Sequence, residues 1–132
     1  MDFTKNPKKR YMEGDNIFSE NDSGDEMYYI LSGQVNIFLK IGDNKEDLVL
    51  LEPGSFFGEL ALFNRSQRNA YAEASKDTEL LVITKENLKD IIHKNPDLTF
   101  QLVHTMSKHL ERLTHQYEEA LQQNVEWDVI IK

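Results

Sequence analysis

Glu59 and Arg68 are the residues of this sequence whose chemistry is least explained by packing. Glu59 interrupts the hydrophobic stretch "FFGELALF", and Arg68 follows nine positions later, at the far end of a polar loop. Small residues accompany both, since Gly58 precedes the acid and Ala70 lies shortly after the base. An acid and a base placed in this way within one short segment indicate one of three kinds of site.

The first two kinds are an ion pair and an acid–base catalytic pair. A partly buried Glu59–Arg68 pair would add little stability, because desolvation offsets most of the attraction between the two charges. A catalytic pair would need a second carboxylate or a histidine at a suitable distance. The histidines fall in the helical part of the chain, where we expect solvated or interface positions, at His93, His104, His109 and His115.

The third kind is a pocket for an anion. Gly58 has no side chain, so the backbone there can approach a ligand closely. "ELALF" can form a helical turn whose first N–H groups point towards an anion, and the guanidinium fork of Arg68 suits two phosphate oxygens. Glu59 only accepts hydrogen bonds, so it suits a hydroxyl such as a ribose 2′-OH. Phosphate and ribose hydroxyl within one cassette indicate a cyclic mononucleotide.

Short apolar stretches separated by turn residues surround this cassette. "MYYIL", "VNIFL", "LVLLE", "AYAEA" and "ELLVIT" alternate with turn segments such as "SGQ", "IGDNKED" and "PG". Such closely spaced strands indicate an antiparallel barrel or sandwich between about Tyr11 and Thr84. "KNPKKR" before it is expected to be a solvated, mobile end rather than a nucleic acid-binding patch.

The hydrophobic period changes after Thr84, which suits the N-cap of a short helix. The buried stripe of that helix is expected to comprise Leu88, Ile91 and Ile92. Asn95 offers the N-cap of a second helix, and Pro96 suits its first position because proline lacks an N–H that would need a partner. No glycine or proline interrupts the chain from there to Lys132.

A heptad pattern runs along this second helix in alternating steps of three and four. Its members are Val103, Met106, Leu110, Leu113, Tyr117, Ala120, Asn124, Trp127 and Ile131. A helix of about 35 residues extends roughly 50 Å, which is longer than a barrel of this size is wide. The pattern therefore favours a homodimer seam over packing on the barrel alone, and Asn124 at an a-type position favours a registered, two-stranded pair.

Composition narrows the class of protein. The chain has 132 residues, enough for one domain, and its formal net charge of -8 argues against a broad electrostatic grip on nucleic acid. It has no cysteine, which excludes disulfides, thiolate catalysis and cysteine-based metal sites. No apolar run is long enough for a bilayer or a signal peptide, so we expect a cytoplasmic protein without membrane contact.

The cassette "FGELALFNRSQRNAYAEA" resembles the phosphate-binding cassette of cyclic nucleotide-binding domains, whose pattern is Phe-Gly-Glu-Leu-Ala-Leu, a short spacer and Arg-x-Ala. The upstream run "YMEGDNIFSENDSGDEMYYILSGQVNIF" is similar to the opening strands of that family. "NPDLTFQLVHTMSKHLERL" is similar to the start of the long helix in bacterial regulators of the catabolite activator (Crp-Fnr) type. The resemblance covers about Tyr11 to Leu113.

This resemblance implies a mainly β fold with α-helices. The expected architecture is an eight-stranded, double-stranded β-helix (jelly-roll) barrel with flanking helices and a long carboxyl-terminal helix. We expect residues 1–97 to form the nucleotide-binding barrel with its short helices. Residues 98–132 would be the dimerisation helix of the same domain.

The resemblance also implies roles for individual residues. Arg68 would pair with the cyclic phosphate and Glu59 would accept the 2′-hydroxyl. The remaining cassette residues expected at the sugar and phosphate are Gly58, Leu60, Ala61, Asn69 and Ala70. The candidates beside the base are Ile37 and Leu48 on the barrel and Leu113 and Thr114 on the long helix.

Asn69 departs from the most frequent family pattern and leaves cAMP and cGMP unresolved, with cAMP favoured by the bacterial resemblance. Tyr71 also departs from that pattern, and both departures favour a module that no longer binds a nucleotide. We expect a sensor with no metal and no cofactor, which signals through its dimer to an unknown effector and does not itself bind nucleic acid. Two alternatives remain: an interaction module that no longer binds a nucleotide, and a fragment of a longer transcription regulator, since no helix-turn-helix follows. A cupin-type enzyme is disfavoured because the barrel region has no histidine.

Overall fold

Eight strands and three helices make up residues 3–123, the part of the chain that the computed structural model describes. The strands are β1 (Lys8–Tyr11), β2 (Asn16–Phe18), β3 (Met27–Ser32), β4 (Val35–Ile41), β5 (Asn44–Leu51), β6 (Phe56–Phe57), β7 (Tyr71–Ala74) and β8 (Thr78–Ile83). The helices are α1 (Glu59–Asn64), α2 (Lys85–Lys94) and α3 (Asp97–Gln123). Within these described residues, no helix combines the length and the apolar character needed to cross a membrane.

The strands form two antiparallel sheets of four strands each, with the orders β1-β8-β3-β6 and β2-β7-β4-β5. β3 and β4 follow each other in the chain but lie in different sheets, and so do β7 and β8. A chain that crosses repeatedly between two sheets is what a jelly roll requires. The predicted jelly-roll fold is therefore confirmed, with the strands divided between two sheets rather than closed into one continuous barrel.

Strand β8 is buried on both of its faces. Leu80 and Val82 belong to an apolar cluster shared with the second sheet, whereas Leu81 and Ile83 belong to a cluster shared with the three helices. Successive side chains of a strand point to opposite faces, which explains why "LLVI" has no polar alternation. Leu62 of α1 lies in the cluster shared with the helices, so packing against the sheet that contains β8 fixes the position of the cassette.

The two helices predicted after Thr84 are confirmed. Thr84 and Asn87 form a capping box at the start of α2. The Thr84 hydroxyl accepts from the Asn87 N–H at 3.3 Å, and the Thr84 N–H donates to the Asn87 side chain at 2.8 Å. α3 begins at Asp97, one residue after the predicted first position at Pro96, a difference within the usual uncertainty of helix ends. Leu98 and Leu102 anchor its first turns in the helical cluster.

The segment Lys8–Arg10 corrects one expectation. It lies in β1, where Lys8 pairs with Leu81 and Arg10 with Glu79 of β8. The guanidinium Nε of Arg10 is 2.9 Å from the Glu79 carboxylate. These side chains are solvated, as expected, but the predicted mobile end is wrong for this segment because its backbone is held in register with β8.

The heptad residues of α3 are exposed rather than packed on the sheets. The large apolar members with exposed side chains are Val103, Met106, Leu110, Leu113 and Tyr117. Packing of this stripe on the barrel alone is thus contradicted for residues 103–117. Asn124, Trp127 and Ile131, which the heptad also includes, lie outside the described residues.

Candidate functional site

The cassette begins with a sharp turn at Gly58, between β6 and α1. Its φ of 78° lies in the left-handed region that favours glycine. A Cβ added there would lie 2.7 Å from the Nη1 atom of Arg68. Gly58 thus allows both the turn and the close approach of the arginine, and the helical turn predicted for "ELALF" is confirmed as α1.

Arg68 is buried, with 6% of its surface exposed, and the protein fixes its guanidinium from several sides. Nη1 donates to the Gly58 carbonyl at 3.1 Å and Nη2 donates to the Glu26 carbonyl at 2.8 Å. The guanidinium carbon lies 4.3 Å from the centre of the Phe18 ring. A guanidinium has five N–H donors, so these two hydrogen bonds leave donors for a ligand.

Glu26, which accepts from Arg68 through its backbone, carries a second network on its side chain. Its carboxylate accepts from Lys9 at 2.8 Å and from the Tyr28 hydroxyl at 2.7 Å. Burial raises the pKa of Glu26, but the hydrogen bonds from Lys9 and Tyr28 outweigh burial and bring the pKa below its usual value. The hydrogen bond to Glu26 raises the pKa of Lys9, and burial, followed by the bond to Glu26, raises the pKa of Tyr28. The network therefore keeps Glu26 ionised behind the arginine.

Glu59 does not form the ion pair with Arg68 that one interpretation of the sequence considered. Its side chain is only 8% exposed, and its Oε1 atom lies 3.4 Å from Nδ1 of His109 on α3. No other ion-pair partner of Glu59 is found among residues 3–123. The expectation that the histidines are solvated or interface residues is wrong for His109, whose imidazole is only 27% exposed because it lies against Glu59.

A cavity of about 420 Å³ lies between the second sheet, the cassette and α3. Ten of the eleven residues proposed from the sequence line it: Ile37, Leu48, Gly58, Glu59, Leu60, Ala61, Arg68, Asn69, Ala70 and Leu113. Thr114 does not line it and is exposed on α3. The fold thus brings into one space three segments that are far apart in the chain.

Sequence reasoning missed most of the α3 side of this cavity. The further residues of α3 that line it are His104, Thr105, Lys108, His109, Arg112 and Gln116. Thr105, His109, Arg112 and Gln116 repeat in steps of four, three and four, which is the spacing of one helix face. That spacing in the sequence indicates a polar face of α3 that could line a site, next to the apolar heptad. Leu113 belongs to both faces.

The charges in the cavity are mainly positive, although the whole chain has a net charge of -8. Arg68, Lys108 and Arg112 line it, and Glu59 is the one acidic residue among the described residues that do so. Apolar residues of β4 and β5 form the opposite wall. The space therefore suits an anion that also has an apolar or aromatic part.

Comparison with known proteins places this site in a family context. The sequence model described as "Cyclic nucleotide-binding domain" matches residues 8–95. The Cyclic AMP receptor protein of Thermus thermophilus is 34% identical over 104 residues, which are 78% of this chain and 48% of that protein. The chain spans about half the length of the curated relatives that it matches.

Comparison with solved structures finds similar proteins. The structure of the Thermus thermophilus Catabolite Activator Protein superposes with a TM-score of 0.68 at 31% identity, covering 89% of this chain and 54% of that one. The EAL enzyme Bd1971 in its cAMP-bound form has a TM-score of 0.61 at 28% identity, covering 91% of this chain and 32% of that one. The chain is therefore similar both to about half of a catabolite activator protein and to one part of a much longer enzyme.

Proposed function

The chain belongs to the family of cyclic nucleotide-binding domains, and from this we propose that it is a sensor that binds a cyclic nucleotide between its cassette and α3. One observation carries the proposal: Glu59, Arg68 and the polar face of α3 line a single cavity. Its volume of about 420 Å³ lies within the usual range for small-molecule sites. We assign no catalytic role to the cavity.

Arg68 is the proposed partner of the cyclic phosphate. Its guanidinium is already oriented by the Gly58 and Glu26 carbonyls, so little side-chain freedom remains to be lost on binding. A buried cation with unused donors is well suited to a phosphodiester, which carries one negative charge. Gly58 has no side chain to separate the ligand from this group.

Glu59 is the proposed partner of the ribose 2′-hydroxyl. An ionised carboxylate accepts hydrogen bonds and repels phosphate, so the hydroxyl is the part of a cyclic nucleotide that it can bind. His109 approaches one carboxylate oxygen, Oε1, and the other oxygen remains for a ligand. Leu60, Ala61, Asn69 and Ala70 would complete the wall around sugar and phosphate.

The base is expected to lie between the second sheet and α3. Ile37 and Leu48 supply an apolar surface on β4 and β5, and Leu113 supplies one on the helix. These side chains line opposite sides of the same space, which suits a flat aromatic base. Thr114 follows Leu113 on the exposed side of α3, so a contact with the base would require a second copy or a rotation of the helix.

We favour cAMP over cGMP as the ligand. The support is that several curated relatives are named for cAMP, including the Cyclic AMP receptor protein of Thermus thermophilus. Gln116 lines the cavity, and an amide can pair with both N6 and N7 of adenine. Arg112 also lines it, and a guanidinium can pair with O6 and N7 of guanine. Arg112 is therefore the residue that would favour cGMP.

The exposed stripe of α3 is the proposed dimer surface. Five large apolar side chains from Val103 to Tyr117 follow one heptad seam and are between 43% and 65% exposed. A second copy of the same helix offers the matching stripe, with the same residues meeting across a twofold axis. We propose residues 98–132 as the responding and dimerising part of the domain, acting on a further domain or partner protein.

Titration calorimetry with cAMP, cGMP and 5′-AMP tests the proposal. We expect saturable binding of cAMP, weaker binding of cGMP and much weaker binding of 5′-AMP, whose phosphate has a second ionisable group and no ring. Binding of neither cyclic nucleotide at millimolar concentration would refute the sensor and favour the alternative of an interaction module. Tighter binding of cGMP would refute only the choice of base.

A further inference from the structure

The His109–Glu59 contact joins the middle of α3 to the cassette. Leu98 and Leu102 at the beginning of α3 are buried, but the large apolar heptad residues from Val103 to Tyr117 are exposed. His109 is less exposed than these residues, since its imidazole is 27% exposed and lies beside a carboxylate that is 8% exposed. The residue that contacts Glu59 is thus a histidine, the side-chain type that proteins most often use as a proton-dependent switch near neutral pH.

We infer that His109 is a positioning residue for Glu59, and that its protonation strengthens recognition of the ligand's 2′-hydroxyl. The inference rests on the proposed function, because it assigns a regulator to the same carboxylate. With Nδ1 beside Oε1, a protonated imidazole fixes the rotation of the carboxylate and leaves Oε2 directed at the hydroxyl. A neutral imidazole has no charge to attract the carboxylate, and in the tautomer that carries its proton on Nε2 it presents a lone pair at Nδ1.

The sign of the effect follows from the charges. Protonation of His109 turns its contact with Glu59 at 3.4 Å into an ion pair. A cyclic nucleotide gains from the oriented carboxylate only when its hydroxyl is present. By linkage, if binding is tighter to the protonated protein, binding also favours uptake of that proton. Affinity is therefore expected to rise as the pH falls from 8 to 6.

Other charged or titratable side chains near His109 could also make ligand binding depend on pH. Besides Glu59 on α1, the titratable and charged side chains that line the cavity are Arg68 before β7, and His104, Lys108 and Arg112 on α3. Arginine and lysine keep their charge across this pH range. His104 is thus the matched control, because it is the same residue type, on the same helix and in the same cavity.

The test is titration calorimetry of the whole chain with cAMP and 2′-deoxy-cAMP at pH 6, 7 and 8. The wild type is expected to bind cAMP roughly fivefold more tightly at pH 6 than at pH 8, the lower end of usual coupling between sites. H109N, whose amide replaces Nδ1 but does not titrate, should show no such dependence. H104N should keep it, and so should H115N, since His115 lies outside the cavity and pairs with Glu119.

Two further measurements separate positioning from a general effect of charge. H109R carries a permanent cation and should bind cAMP at pH 8 about as tightly as the wild type does at pH 6. It also keeps the test decisive if H109N does not fold, which circular dichroism will show. The affinity of the wild type for 2′-deoxy-cAMP should depend much less on pH, because that ligand has no 2′-hydroxyl to bind the oriented Glu59 carboxylate.

Each contrary result has a distinct meaning. Binding of cAMP that is independent of pH, or a pH dependence that persists in H109N, overturns the inference and leaves the sensor intact. If the pH dependence of cAMP binding is lost in H104N but kept in H109N, the effect belongs to His104 and the inference about His109 is overturned as well. An equal dependence for 2′-deoxy-cAMP overturns the positioning role. No binding of cAMP or cGMP at any pH overturns the proposed function itself.

Discussion

Replacing Arg68 by alanine removes the proposed phosphate partner, a residue that is itself almost closed to solvent. Only 6% of the Arg68 surface is exposed, so water can only partly replace the arginine beside the phosphate. Truncating one member of a buried, hydrogen-bonded charge pair costs about 2 to 5 kcal/mol of binding free energy. At about 1.4 kcal/mol per factor of ten, we expect R68A to bind cAMP roughly 30-fold to 4,000-fold more weakly.

The same substitution also affects the protein without ligand. The Gly58 and Glu26 carbonyls each lose a hydrogen-bond donor, and an unsatisfied buried acceptor costs about 1 to 3 kcal/mol. Loss of the contact with the Phe18 ring adds a smaller amount, whereas removal of a buried charge works in the opposite direction. We expect the free variant to be less stable by about 2 to 4 kcal/mol, as measured by urea unfolding.

Calorimetry must therefore be done below the unfolding transition of the variant, with circular dichroism as a check on folding. R68K is the matched control. It keeps the positive charge, but an ammonium group cannot reproduce the planar fork that bonds to the Gly58 and Glu26 carbonyls. R68K should bind with an affinity between those of the wild type and R68A. A folded R68A that binds cAMP within twofold of the wild type would refute the phosphate assignment.

Four other changes test separate parts of the site. The wild type should bind 2′-deoxy-cAMP at least about tenfold more weakly than cAMP, because the Glu59 carboxylate then lacks the 2′-hydroxyl as a hydrogen-bond donor. In E59A the affinities for the two ligands should be nearly equal. Equal affinities in the wild type would exclude recognition of the 2′-hydroxyl by Glu59. G24A places a Cβ 2.7 Å from the cassette guanidinium, so calorimetry should show roughly tenfold weaker binding, and an unchanged affinity would mean that the guanidinium is not held where the structure places it. Sedimentation should show a wild-type dimer and a monomeric L110E/L113E variant, because four acids would meet in one seam; a wild type that is monomeric at high concentration, with and without nucleotide, contradicts the dimer. E26Q should be less stable than the wild type at neutral pH by up to about 1 kcal/mol, a small effect because its ion-pair partner Lys9 is half exposed. Because the pKa of Glu26 is lowered in the folded protein, urea unfolding should show this difference in stability vanishing as the pH falls from about 4.5. A difference that persists at pH 2 would exclude the Glu26 carboxylate as its source.

The cassette could be predicted from sequence because its chemistry is local. Gly58 permits the left-handed turn, α1 follows at once, and the acid and the base are only nine positions apart. The capped start of α2 was predictable for the same reason, since Thr84 and its partner Asn87 are three residues apart. Residue type and short spacing are enough where the partners are neighbours in the chain.

The partners of the two charged residues were not predictable. Arg68 bonds to the backbone carbonyl of Glu26, and a carbonyl is present at every residue, so no residue type marks it. Glu59 meets His109, fifty positions away, and that contact depends on the direction in which α3 leaves α2. The sequence of Lys8–Arg10 does not predict a strand, because a short exposed strand is recognisable only from its partner, β8. In each case the missing information is tertiary.

Leu113 shows how a nucleotide could affect the dimer. It lines the cavity and is also a member of the exposed stripe, so the two faces of α3 share a residue. A ligand can move α3 only by as much as its affinities for two positions of the helix differ, and a tenfold difference corresponds to about 1.4 kcal/mol. Linkage makes this reciprocal: if nucleotide strengthens the dimer tenfold, then forming the dimer must strengthen nucleotide binding by the same total factor. The proposed coupling therefore requires that the apparent affinity for cAMP rise with protein concentration, across the range in which sedimentation shows the dimer to form.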